Sequence, residues 1–198
     1  MTISRTSGNA DRSARYWYAI YTRPRFEKKV NTELLGKGLQ AFLPLRSVTK
    51  YWSDRRKKVD EPLFPSYVFV CANLRERYDS LQSRGVIRMV SFAGRPARIP
   101  EDQIQSIHRI LEHGYDPEPF DYLTRGDQVA VVSGPLRGMK GIFLERRGQN
   151  RLVISIDAIR QSVAVEIERG HLRRLGPSEF LQRPKHRSRY RLQSLQNV

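Results

Sequence analysis

The chain has one cysteine, Cys71, in 198 residues, which excludes an internal disulfide. It stands in the apolar run YVFVCA, where a buried, inert thiol is expected and a nucleophile is not. Long hydrophobic runs are also lacking. No stretch approaches about 18 uninterrupted apolar residues, and the opening MTISRTSGNADRSARYW holds no apolar signal core. The expectation is a soluble, cytoplasmic protein that uses no membrane. The four histidines, His108, His113, His171 and His186, offer no tight metal-ligand spacing beyond one i,i+5 pair, so no zinc site is expected. Acidic residues are few and scattered. Asp54, Asp60 and Glu61 lie near one another, but no carboxylate cluster has metal-site spacing and no Ser/His/Asp set is suggested. An enzyme such as a nuclease is therefore disfavoured, and no cofactor is expected. The glycine-rich SGPLRGMKGIFL is followed by neither GKS nor GKT nor a helical pattern, so it is not a phosphate-binding loop.

What the chain has in excess is positive charge. The 36 Lys and Arg residues against 20 Asp and Glu leave a formal charge of +16. Such a chain repels itself unless an anionic partner lies nearby. Nucleic acid is the first candidate; an acidic protein surface or lipid headgroups come second.

The residue pattern divides the chain into five parts. Residues 1–15 are polar and without periodicity, and read as a disordered lead-in. From 16 to 113 strands and helices alternate. YWYAIY (16–21) is a strand, and TRPRFEKKVNTELLGKG is a helix with Phe26, Val30 and Leu34 on one stripe, Thr22 as its cap and Pro24 in its first turn. AFLPLRSVTKYWS (41–53) and EPLFPSYVFVCA (61–72) read as a long hairpin whose connector DRRKKVD is a basic tip. NLRERYDSLQSRG (73–85) places Leu74, Tyr78 and Leu81 on a helical face, VIRMVSF (86–92) is a strand, and PEDQIQSIHRILEHG (100–114) is a helix with Ile104, Ile107 and Leu111 buried. This order predicts an α+β fold, a split βαβ-like unit whose antiparallel sheet carries helices on one side. The acidic, proline-containing 114–124 reads as a linker. Residues 125–175 lose the helical period and show short strands with glycine turns, a small β-barrel of about five strands. Residues 176–198 form a basic tail, disordered or ordered by a partner.

Two features point to binding. Strand alternation puts Trp17, Ala19 and Tyr21 on one face of the first strand, and Tyr67 and Phe69 on one face of another. If helices cover only the opposite face, these aromatics form an exposed patch of the kind that marks an interaction surface. The competing reading is that they are core, covered by the second domain. Basic residues cluster at Arg23, Arg25, Lys28 and Lys29, and again at Arg55, Arg56, Lys57 and Lys58. Solvated surface or phosphate contact are the two readings of such runs, and the total charge favours contact.

The stretch GDQVAVVSGPLRGMKGIFLE, through Gly126, Asp127, Val129, Val131, Gly134, Pro135, Gly138, Gly141, Phe143 and Glu145, resembles the KOW motif of the NusG family of transcription elongation factors. WYAIYTRPRFEKKV, LFPSYVFV and VIRMVSFAGRPARIP resemble the NGN domain of the same family, so that the likeness spans residues 16–175. LFPSYVFV and YTRPR are most similar to the specialised, operon-directed paralogues of the RfaH and UpxY type.

The resemblance implies a monomeric, non-catalytic antitermination factor. Its NGN domain would meet the clamp helices of RNA polymerase through Tyr21, Phe64, Pro65, Tyr67 and Phe69. Arg23 and Arg25, with Lys28 and Lys29 as further candidates, would lie beside the non-template DNA strand. The KOW domain would recruit a small-subunit ribosomal protein or the Rho terminator. Leu136 and Met139 stand in its loop where many members carry aromatics, with Phe143 on the strand that follows. The alternative is a KOW-type RNA-binding or ribosome-associated protein. Strand alternation in VAVVS and VAVEIE predicts a barrel that stays β and does not convert to helix.

Overall fold

A computed structural model describes residues 13–51, 56–122, 126–146 and 148–176. The expected lead-in and tail, apart from residues 13–15 and 176, lie outside them, as does Arg55. The fold is α+β. Strands β1 (Tyr16–Thr22), β2 (Gln40–Phe42), β5 (Tyr67–Ala72) and β6 (Val86–Met89) form an antiparallel sheet in the order β2-β5-β1-β6. Helices α1 (Glu27–Gly36) and α2 (Leu74–Leu81) accompany one face of it. There Val30 and Leu34 of α1 close over Tyr18, Ile20, Val68 and Val70, the even positions of the two central strands.

The opposite face is covered as well, which corrects the one-sided arrangement expected above. Helix α3 (Glu101–Glu112) lays Ile104, Ile107 and Ile110 against Trp17, Ala19 and Phe69. Its third buried position is Ile110, and Leu111 is half-buried. An amphipathic stripe announces that a helix covers something, but not which side of a sheet it covers.

Other expectations also shift. The first helix starts at Glu27, three residues after Pro24; Thr22 belongs to β1, fully buried, and does not cap the helix. The long hairpin is broken on both arms. Its distal part is a separate two-stranded ribbon of β3 (Leu45–Tyr51) and β4 (Arg56–Pro62), so that Arg56, Lys57 and Lys58 are strand residues and not a connector. Helix α2 forms where its period places it, and the face of Leu74, Tyr78 and Leu81 is exposed. It turns Ser80 inward, sets the Arg77 guanidinium 5.2 Å from the Tyr18 ring, and is held at its start by a capping box between Asn73 and Glu76.

A short pair, β7 (Ser91–Phe92) and β8 (Arg95–Pro96), follows β6; the second sheet is built of β9 (Glu118–Phe120), β10 (Asp127–Val131), β11 (Lys140–Arg146), β12 (Gln149–Ile156), β13 (Gln161–Glu166) and β14 (Leu172–Arg174) in the order β14-β10-β11-β12-β13-β9. Part of the expected linker is thus its edge strand, because Pro119 sits where a sheet tolerates proline, at an edge. Gly141 explains one glycine of the motif: a Cβ there would lie 2.7 Å from the Val153 carbonyl oxygen, so β11 and β12 can approach only without a side chain. One apolar cluster runs continuously from Trp17 and Phe69 through α3 to Leu136, Leu152 and Val163 of the second sheet. Gln103 of α3 clasps Asp157, donating to its carboxylate at 2.8 Å and accepting from its N–H at 3.3 Å. Among the described residues no helix is long and apolar enough to cross a membrane, and no group of His, Cys, Asp and Glu could hold a metal ion.

Candidate functional site

The site is built on two proline turns of the same design. Arg23-Pro24-Arg25-Phe26 closes through the Phe26 N–H to the Arg23 carbonyl at 3.1 Å, and Phe64-Pro65-Ser66-Tyr67 through the Tyr67 N–H to the Phe64 carbonyl at 3.2 Å. Proline fixes a negative φ at the second position of each, and Arg25 and Ser66 take φ of 66° and 65° at the third. That is the type II turn, which ordinarily places glycine or asparagine there. A non-glycine residue in this region costs roughly 1–3 kcal/mol and persists only where its surroundings demand it.

The surroundings are visible. The Thr22 N–H donates to the Ser66 carbonyl at 2.9 Å, and the Ser66 N–H donates to Glu27 Oε1 at 2.7 Å. Glu27 opens α1 and is buried beside the turn that carries Arg23 and Arg25. The Arg23 N–H donates to the Gly85 carbonyl at 2.8 Å. Gly85 must be glycine, since its φ is +98° and a Cβ would stand 2.4 Å from the Phe26 ring. Neither Glu27 nor Gly85 emerges from sequence reading as a site residue. The repeated X-Pro-X-aromatic pattern around Pro24 and Pro65 was the available signal.

These turns deliver the aromatic face in two rows. In the inner row Phe42, Phe69 and Ala19 are neighbours across β2, β5 and β1, and α3 covers them, with the His108 ring 5.6 Å from Phe42. Phe64 stands edge-on to Phe69 at 5.7 Å. Phe64 and Phe69 are thus buried, at 1% and 0% exposure, which corrects the uncovered face expected for Phe69 and takes Phe64, named through the resemblance, out of reach of a partner. In the outer row Tyr67, Tyr21 and Arg88 are neighbours across β5, β1 and β6. The two tyrosine rings lie 5.4 Å apart, and the Arg88 guanidinium lies 5.4 Å from Tyr21. Both tyrosines are half-buried and Pro65 is exposed. The structure therefore brings Tyr21, Pro65 and Tyr67 together at an accessible edge.

Arg23, Arg25, Lys28 and Lys29 are all exposed around the first turn and the start of α1. Arg56, Lys57 and Lys58 are exposed on β4 of the separate ribbon. Cys71 is half-buried, and burial pushes its thiol up to about 11, as expected of an inert group.

In the second sheet the loop Gly134–Met139 runs on positive φ at Gly134 and Gly138. Leu136 and Met139 are buried and join the continuous cluster, so their side chains pack and do not project toward a partner. The Arg109 guanidinium of α3 donates to the Arg137 carbonyl at 3.0 Å, which fixes this loop against the helix. Phe143 is half-buried with Arg169 5.9 Å from its ring.

A family profile described as transcription termination factor NusG matches residues 15–108, the span of the four-stranded sheet, its helices and both proline turns. Among curated proteins, the transcription termination/antitermination protein NusG of Rickettsia conorii is 22% identical over 179 residues, covering 84% of this chain and 93% of its own. That of Thermus thermophilus is 26% identical over 163 residues, covering 71% and 89%. Among solved structures, one of Thermotoga maritima NusG is 22% identical with a TM-score of 0.49, covering 82% of this chain and 98% of that one.

Proposed function

Since the chain belongs to the NusG family of transcription termination and antitermination factors, we propose that it rides on RNA polymerase and suppresses pausing or termination. The outer aromatic row is the contact for the polymerase clamp helices. Tyr21 and Tyr67 offer rigid, amphipathic rings at low entropic cost, of the kind that anchors protein interfaces. Exposed Pro65 extends the patch on the same turn. The observation that carries this reading is the division of the aromatic face, in which α3 takes the inner row for the core and leaves the outer row accessible.

Arg23 and Arg25 lie on the loop stitched to that row, and contact the non-template DNA strand. The second sheet, a KOW barrel, recruits a further partner of the transcription or translation machinery. With Leu136 and Met139 buried, that contact falls to exposed Pro135 and Arg137 and to half-buried Phe143. LFPSYVFV and YTRPR incline the reading toward the specialised antiterminators. A bridge of this kind acts by binding the closed polymerase better than the opened one. About 1.4 kcal/mol of such preference shifts a pause equilibrium tenfold.

The test is retention on purified core polymerase. Tyr21→Ala with Tyr67→Ala is expected to abolish retention while unfolding remains cooperative, and a double variant retained like the unaltered chain would refute the assignment. Transcription in vitro on a template with pause and terminator sites is expected to show more read-through when the protein is added; unchanged read-through would overturn the antitermination role.

A further inference from the structure

The β3–β4 ribbon stands apart from both sheets. Its seven-residue strands pair only with each other, in register from Leu45 opposite Pro62 to Tyr51 opposite Arg56. At about 3.4 Å per residue the ribbon is roughly 24 Å long. Its distal half is exposed on both faces. Register alternation places Lys50 opposite Lys57 on one face, and Lys58 opposite Thr49 with Arg56 opposite Tyr51 on the other. The Arg56 guanidinium lies 4.9 Å from the Tyr51 ring, which is 67% exposed.

The acids of the ribbon sit at its base and are already engaged. Asp60 accepts from the Ser47 hydroxyl at 2.5 Å. Glu61 pairs with Lys50 at 2.5 Å, and that hydrogen bond holds its carboxyl below the usual carboxylate range. Toward the tip, among the described residues, the charges left are all positive, Lys57 on one face and Arg56 and Lys58 on the other. Like charges set directly opposite one another on a ribbon are unfavourable in isolation. Only Lys50 and Lys57 stand opposite one another in this way; Glu61 already offsets Lys50, and an anion beside Lys57 would offset the rest.

From this arrangement we infer that the ribbon enters a groove of duplex DNA, reading phosphates on both walls. This rests on the transcription-factor reading, since it supplies that protein with a second nucleic-acid contact beside Arg23 and Arg25. A single strand or a flat anionic surface meets one face of a ribbon, and cations on the other face would then contribute nothing. A groove presents two phosphate walls at once, and the major groove of B-DNA, about 12 Å wide, admits a two-stranded ribbon. The cations are point contacts to phosphate, so the binding is insensitive to sequence and sensitive to salt.

Fluorescence anisotropy of the full chain with a labelled 24-base-pair duplex, its separated strand and an RNA hairpin tests this across a salt series. The duplex is expected to bind most tightly. Lys50→Gln with Lys57→Gln empties one face, and Arg56→Gln with Lys58→Gln the other. Each pair is expected to weaken duplex binding and to lower the log-log salt slope, by about 0.9 for the first, where Lys50 is already held by Glu61, and by about 1.8 for the second, at about 0.9 per phosphate lost. A loss confined to one pair, an unchanged slope, or tighter binding of the single strand or the RNA hairpin overturns the groove. Retention on core polymerase separates this inference from the functional reading. A four-substitution variant that keeps retention and loses duplex binding supports the ribbon as an independent contact. An unaltered chain that is not retained but titrates with duplex as stated removes the polymerase reading and leaves the ribbon standing.

Discussion

The four-stranded sheet and the β3–β4 ribbon are neighbours in sequence and opposites in construction. The sheet is covered on both faces, by α1 on one and α3 on the other, and its central strands are almost wholly buried. The ribbon has no helix over its distal half and exposes it on both faces. Residues of the sheet are chosen for packing, those of the ribbon for charge. The difference teaches that aromatic bulk alone does not tell an accessible face of this protein from a packed one. What separates them is the row that α3 leaves accessible and the half of the ribbon that no described element covers.

The sharpest way to break the comparison is Phe69→Ala. Removal of a fully buried aromatic between β5 and α3 is expected to cost about 3–5 kcal/mol, read as a lower urea midpoint. A loss under about 1 kcal/mol would place Phe69 with ordinary surface substitutions and not in the core. The same burial acts on Cys71. With its thiol near 11, against about 8.5 for a free cysteine, the reactive thiolate is scarce at pH 8, and alkylation should run about a hundredfold slower than that of an unstructured peptide thiol. Because the thiolate fraction grows with pH until the pKa is reached, the rate should keep rising through pH 9.5. A plateau below pH 9.5 would contradict the burial.

Glu27→Ala probes the seam between packing and function. It leaves the Ser66 N–H without its partner and is expected to cost about 1–3 kcal/mol. It should also weaken polymerase retention beyond what a core substitution of equal cost does, with Glu27→Gln restoring part of it through its amide oxygen. Smallest in stability is the ribbon: Lys57→Gln with Lys58→Gln should move unfolding by no more than about 0.5 kcal/mol. A larger loss would mean that the ribbon is packed and the contrast with the sheet is false.

The sequence conveyed the α+β order well because local periodicity and turn residues carry it. Strands at Tyr16–Thr22 and Tyr67–Ala72, the helix at Glu101–Glu112 and the glycine turns of the second sheet all follow from alternation, stripe and positive φ. Relations between elements were less legible. The stripe Ile104, Ile107, Ile110 shows that α3 is buried on one side, but its seat on Phe69 is a tertiary fact. The stripe Leu74, Tyr78, Leu81 has the same period and is exposed, because α2 is secured by its Asn73 cap and by Ser80 and Arg77. Of the candidate site, Tyr21, Pro65 and Tyr67 lie together at an accessible edge, while Phe64, Phe69, Leu136 and Met139 are held for packing. Local pattern cannot distinguish these groups, since an aromatic in a strand looks alike above solvent or under a helix.

The buried bond from the Ser66 N–H to Glu27, with the Thr22 link beside it, makes the two proline turns a single mechanical part. One end of that part carries Arg23 and Arg25; the other carries Pro65 and Tyr67. A displacement of the cationic end is therefore handed through these bonds to the turn that seats Tyr67, so the two ends move together or not at all.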